Sequence, residues 1–322
     1  MRVLLLSANE KDQEFFQAAS RLANYPFLSL GSAEEICAEV QREPASIVVV
    51  DVSNKDTYTK FEKCVADKLG LFSAQVNPNL LFYVSDEPFH EMSYLSQSQI
   101  FGHFVHRSFE KSDLALISRL FLLASAEKAF GLERFFVTEA KMQSVVLTKS
   151  LQKKVIIESL KGHLTKLGFK SRVATVIATA TDELIMNAIF DAPVNDLGKH
   201  THSQTPRNAA FELLEKNAVE MKVGFDGNTL GISVIDHHGS LDKRKLLTQH
   251  LGKTYESRQY EAKSITAGAG LGLTHVYRNC GGIVFVCEAG GRTEVNIFYK
   301  KTASFKDFKD QFRFLSTFMY FS

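Results

Sequence analysis

A chain of 322 residues, 45% hydrophobic and 23% charged, is long enough for about two domains and has the composition of a folded protein, which excludes a disordered or low-complexity chain. Its 38 lysines and arginines nearly balance 36 aspartates and glutamates, and no run of five or six basic residues occurs, so a nucleic-acid partner is not expected. The opening MRVLLLSANE has too short an apolar run for a secretion signal, and no later stretch reads as the roughly 18 apolar residues of a membrane span. A cytoplasmic protein is expected, with protein or small-molecule partners and no membrane partner.

From residue 1 to 125, the apolar runs VLLL, IVVVD, LLFYV and FGHFV alternate with amphipathic stretches. Alternating strands and helices with continuously apolar strands predict an α/β domain: a doubly wound parallel sheet covered on both faces. Residues 126–144 lack the Pro/Ser/Gly run of a flexible linker and read as a packed connector. Cys37, Cys64, Cys280 and Cys287 show no CxxC or zinc-like spacing, so buried free thiols are expected.

Helical periodicity then runs from about 143 to 190. It contains TDELIMNAIFDA, where Glu183 and Asn187 stand four apart on one helical face. Residues 191–218 are polar with two prolines and read as a surface excursion, with His200 and His202 in solvent rather than on a metal. VEMKVGF and TLGISVID flank an Asp-Gly turn and predict a hairpin ending at Asp236. After a polar stretch containing Lys253, Arg258 and Lys263 comes TAGAGLGL, with Gly268, Gly270, Leu271 and Gly272, then a helix to about 280 and two strands, GIVFVCE and TEVNIFY. Residues 145–301 thus predict an α+β domain with helices on one face of an antiparallel sheet. The tail, 302–322, places Phe305, Phe308, Phe312, Leu315 and Met319 on one side of a helix; this stripe docks on the chain itself or forms a homodimer or partner surface.

Each feature alone has an ordinary reading. Glu and Asn at i and i+4 are commonly a solvated helix face, a strand-end Asp is commonly a turn former, and a glycine run commonly marks tight packing. In this order and spacing, however, residues 145–300 resemble the GHKL ATP-binding superfamily of sensor histidine kinases, gyrases, heat-shock chaperones and anti-sigma-factor kinases. The resemblance implies a Bergerat-type α+β sandwich binding ATP and Mg. It also implies Asn187 as magnesium ligand, Glu183 as catalytic base, Asp236 as acceptor from the adenine amine, and Gly239, Gly268, Gly270, Leu271 and Gly272 as nucleotide-contacting backbone. The chemistry suits these types: an amide oxygen fits a hard cation, and glycine lets backbone N–H groups reach phosphate. The chain departs from the family at His238 and Ser240, where DxGxG has glycines. It departs again after Asn187, where Ala188, Ile189, Phe190 and Asp191 replace the usual cation.

The first domain resembles a response-regulator receiver, which places Asp51 at the phosphoacceptor position, Ser85 at the switch Ser/Thr and Arg107 in place of lysine. The acidic pair after the first strand is replaced by Ser7, Ala8 and Asn9, so a receiver-like domain that is not phosphorylated is expected, with Asp51 a loop-capping residue. His163 lacks the neighbours of a phosphoacceptor histidine and reads as a surface residue. The expected function is a signalling protein with an ATP/Mg-binding module, a Ser/Thr or His protein kinase or partner-switching regulator acting on a protein partner. The alternative is a non-enzymatic interaction scaffold that has lost nucleotide binding.

Overall fold

The computed structural model describes residues 1–70, 77–107, 111–126, 129–195, 197–251 and 272–322. It is a mixed α/β protein whose chain divides into two compact units, Met1–Val137 with Ser316–Tyr320, and Thr138–Leu315 with Phe321–Ser322.

The first unit is built on β1 (Val3–Leu6), β2 (Phe27–Leu30), β3 (Ile47–Asp51), β4 (Leu81–Ser85) and β5 (His103–His106), all parallel, in the order β2-β1-β3-β4-β5. The runs VLLL and LFYVS are buried at every position, as a sheet covered on both faces demands. Helices α1 (Glu10–Leu22), α2 (Ala33–Arg42), α3 (Lys55–Lys68) and α4 (Lys111–Ala124) pack as two pairs, α1 with α4 and α2 with α3. Asn9, Ser32 and Asn54 start the first three by accepting a backbone N–H of the opening turn. Between β4 and β5 the described chain forms only two short 3₁₀ turns, Phe89–Glu91 and Leu95–Gln97.

The tail departs from expectation. In place of one helix over 302–322, the chain forms a short helix, Phe305–Asp310, a 3₁₀ turn, Gln311–Phe314, and a strand, β11 (Ser316–Phe321). The helical part of the stripe is real: Phe308 stacks on Tyr299 at 5.7 Å and meets Phe312 at 5.0 Å. Beyond it, STFMYF is β-branched and aromatic, and pairing with β5 outweighs helical spacing (Thr317 opposite Phe104). The fully buried His103 fastens this strand, since its Nδ1 accepts the Met319 N–H at 3.0 Å and its Nε2 lies 2.8 Å from the Asn79 carbonyl.

The second unit carries β6 (Lys141–Leu147), β7 (Val219–Phe225), β8 (Thr229–Asp236), β9 (Gly282–Glu288) and β10 (Arg292–Lys300), in the order β9-β10-β8-β7-β6 with each adjacent pair antiparallel. The Asp-Gly hairpin forms as expected. Gly227 takes a positive φ of 99°, and Asp226 accepts the N–H groups of Asn228 and Thr229. β6 corrects two expectations, the connector to 144 and the helix from 143. KMQSVVL is too short an apolar run to distinguish helix from strand by period, and the available edge of β7 decides.

Helices α5 (Gln152–Lys166) and α6 (Ser171–Met186) pack against each other, and α6 runs on as a π-helical turn, Asn187–Asp191. The stretch 171–191 has the length and hydropathy of a membrane span, contrary to the sequence reading, but most of it is buried inside the protein, as in a core helix. All four cysteines are buried free thiols.

Candidate functional site

α6 sets the centre of the second unit's site. Thr181, Leu184 and Ile185 are buried, which turns the half-buried Glu183 and Asn187 together toward the helix Gly272–Tyr277. Gly272 stands directly against them. A Cβ there would lie 2.3 Å from Glu183 Oε2, so that the Glu183 carboxylate would have to swing aside, and 3.8 Å from Asn187 Oδ1, an ordinary contact. An anionic and a neutral oxygen acceptor thus share one small space beside unobstructed backbone.

Asp236 ends β8 opposite Thr293 of β10 and is 7% exposed. Burial pushes its carboxyl up to about 6, against the pull of hydrogen bonds from the His238 N–H, the Thr293 hydroxyl and the Gly239 N–H. The His238 N–H lies 2.9 Å from Oδ1. Asp236 shares a sheet face with Val234 and Ile232, whose partners Met221 and Val223 lie under α5. The turn after it is tied to the end of α6's π turn, because Ser240 Oγ donates to the Ala192 carbonyl at 2.7 Å.

Gly239 has a packing role of its own. Its φ is +56°, and a Cβ would stand 2.0 Å from the Glu288 carbonyl oxygen in the β9–β10 turn. His238 buries its Nε2 without a partner, and burial lowers its imidazole pKa.

Gly268, Gly270 and Leu271 lie outside the described residues, as do Lys253, Arg258 and Lys263. Two cations that sequence reading did not single out lie elsewhere in the second unit. Arg207, from the 191–218 segment, pairs with Asp191 at 2.9 Å and lies over the Phe190 ring. Lys243, just after the helix-capping Asp242, is half-buried with its ammonium end enclosed 5.5 Å from the Phe321 ring, and burial lowers its pKa to about 7. Among the described residues no group of three or more His, Cys, Asp or Glu could hold a metal. His202 stacks on Phe211 at 4.9 Å, and His163 lines a groove beside α5.

The first unit gathers charge at the carboxyl ends of its parallel strands. Arg107, 7% exposed, donates from Nε and Nη2 to the two oxygens of the fully buried Asp12 at 2.8 and 2.9 Å. Its Nη2 also lies 3.0 Å from Asp51 Oδ1, and its Nη1 reaches Asp86 at 2.6 Å. Asp51 accepts the Ser53 N–H at 3.0 Å, the loop-capping geometry, and Ser85 Oγ accepts the Glu87 N–H at 3.0 Å. Ser7 Oγ donates to Asp12 at 2.6 Å.

Burial raises the Asp12 pKa, opposed by Arg107 and Ser7. Burial would lower that of Arg107, but Asp12 and Asp51 more than offset it, and it is raised. Asp12 was missed in the sequence. Its signal was the Asn9 cap, which starts α1 at Glu10 and places Asp12 in the first turn beside the strand ends. With the guanidinium bonded to all three carboxylates, the cluster does not fit a divalent cation as it stands.

Compared with known proteins, the chain matches no protein-family model and no curated sequence.

Proposed function

We propose that the second unit is a GHKL-type nucleotide-binding module of a signalling protein, and that it acts on a protein partner through ATP-dependent phosphoryl transfer. The juxtaposition of Glu183, Asn187 and Gly272 carries this reading: two oxygen acceptors one helical turn apart face a glycine whose missing side chain keeps the space open. The turn that follows Asp236 is bonded to the end of the same helix, so an adenine acceptor and a phosphate end can serve one ligand. Asn187 would hold magnesium, which neutralises phosphate charge when bound. Glu183 would take the proton of an attacking hydroxyl or imidazole. The β2-β1-β3-β4-β5 order supports a receiver-like first unit, whose acidic cluster is occupied by the Arg107 guanidinium.

Calorimetry with ATP and magnesium tests the reading, with Glu183→Gln expected to retain binding heat and lose turnover. A second reading, a non-enzymatic interaction module in the same fold, is favoured by one observation: His238 and the bonded Ser240 occupy the turn that is glycine-rich in the family. Absence of binding heat and of a thermal shift at millimolar nucleotide decides for it.

A further inference from the structure

We propose that Cys37 and Cys64 form a peroxide-responsive thiol pair, which closes into a reversible disulfide and clips α2 to α3 in the first unit. The two helices pack against each other, and each cysteine stands on the buried stripe of its own: Cys37 between Ile36 and Val40, Cys64 between Phe61 and Val65. The Cys37 thiol lies within hydrogen-bonding reach of the Cys64 sulfur. The second unit supplies the contrast. Its Cys280 turns to the Tyr277 carbonyl at 3.6 Å, and its Cys287 to the Leu241 carbonyl at 3.7 Å and the Thr293 hydroxyl at 3.9 Å, so both meet oxygen rather than sulfur.

The pair has access and slack. Ile36 and Val40 of α2, with Phe61 and Val65 of α3, also line a cavity of about 20 Å³, room for one water-sized molecule. Hydrogen peroxide is of that size and glutathione is not. Cys64 is the reachable end, 6% exposed against 0% for Cys37. Burial and the neighbouring sulfur push the Cys37 thiol up, which makes it a poor first nucleophile.

The chemistry follows that order. The Cys64 thiolate attacks one peroxide oxygen and the O–O bond breaks. Cys64 becomes a sulfenic acid, and the departing hydroxide takes up the proton Cys64 gave and leaves as water. The Cys37 sulfur then attacks the Cys64 sulfur, its own proton going to the sulfenic oxygen. The S–O bond breaks, the S–S bond forms and a second water leaves. Two thiols and one peroxide thus give one disulfide and two waters. A neutral disulfide suits this apolar seam as a thiolate does not. The closed ring runs from 37 to 64 and contains β3 with its terminal Asp51, so the bond restrains the strand that carries that carboxylate. None of this depends on nucleotide binding.

The test is peptide mapping of the folded full chain after millimolar hydrogen peroxide, with free thiols blocked before digestion. A cross-link between Cys37 and Cys64 is expected, lighter than the reduced peptides by two hydrogens, reversed by dithiothreitol, with Cys280 and Cys287 left as thiols. The oxidised protein should melt about 5 °C higher, and the β3 amides should exchange at least roughly tenfold more slowly. Cys37→Ser should trap the Cys64 sulfenic acid, captured by dimedone, whereas Cys64→Ser should leave Cys37 unoxidised. Treated wild type that keeps both thiols open to alkylation once unfolded in urea, or that carries sulfinic acid in place of the link, overturns the proposal. So does a link formed only when urea is present during oxidation, or one that brings no rise in melting temperature. The mapping needs wild type alone, so it decides the matter even where a variant fails to fold.

Discussion

The two units solve the same electrostatic problem, a buried aspartate at the end of a strand layer, in opposite ways. In the first, Asp12 is fully buried and answered by a full charge, the Arg107 guanidinium, which also binds Asp51 and Asp86. In the second, Asp236 is nearly as buried but is answered by dipoles alone, two backbone N–H groups and a hydroxyl, and its carboxyl titrates near 6. A charge cluster closed by its own cation has little left to offer a ligand. A carboxylate held only by neutral donors keeps a negative charge that no cation of the protein offsets.

The comparison breaks most sharply at Arg107. Arg107→Met leaves Asp12 buried without a cation and should cost about 3–5 kcal/mol in urea unfolding. Millimolar magnesium or manganese should recover part of the loss as a rise in melting temperature, because the three carboxylates then lack their counter-ion.

The pH dependence of Asp236 sharpens the other side. Its folded pKa, about 6, lies above the ordinary 3.8, so the folded state holds this proton more tightly than the unfolded state. The resulting stabilisation is complete below about pH 4 and lost as pH rises through 6. Asp236→Asn removes this titration, so wild type should lose stability relative to the variant between pH 4 and 7 in parallel urea melts. Equal slopes would refute it.

Thr293→Val removes one neutral donor and should cost roughly 1.5 kcal/mol while pushing the Asp236 midpoint higher, read from the same melts. The smallest effect is Asn9→Ala. Loss of the α1 cap should cost about 1 kcal/mol and loosen Asp12, seen as faster exchange of the first-turn amides, with no change in Asp236 titration.

The parallel strands of the first unit were legible because VLLL, IVVVD and LLFYV are continuously apolar, and the β7–β8 hairpin because Asp226-Gly227 sits between alternating strands. The spacing of Glu183 and Asn187 was legible as helix geometry. What faces them was not: Gly272 lies 85 residues beyond Asn187 and meets it only through packing. Asp12 escaped notice for a related reason. The expected acidic pair follows the first strand directly, whereas here the carboxylate arrives one helical turn later and meets Arg107 across 95 residues.

The sequence by itself determined what is encoded within a few turns or one strand pair: four of the five parallel strands of the first unit, β2 having gone unread, the Asp-Gly hairpin, and the shared face of Glu183 and Asn187. Only the tertiary structure decided that 141–147 and 316–321 are strands, and which charges Asp12 and Asp236 meet. Hydrophobic period and capping act between near neighbours, and a seven-residue run satisfies either period equally well. The choice falls to whichever strand edge or buried partner the rest of the fold presents.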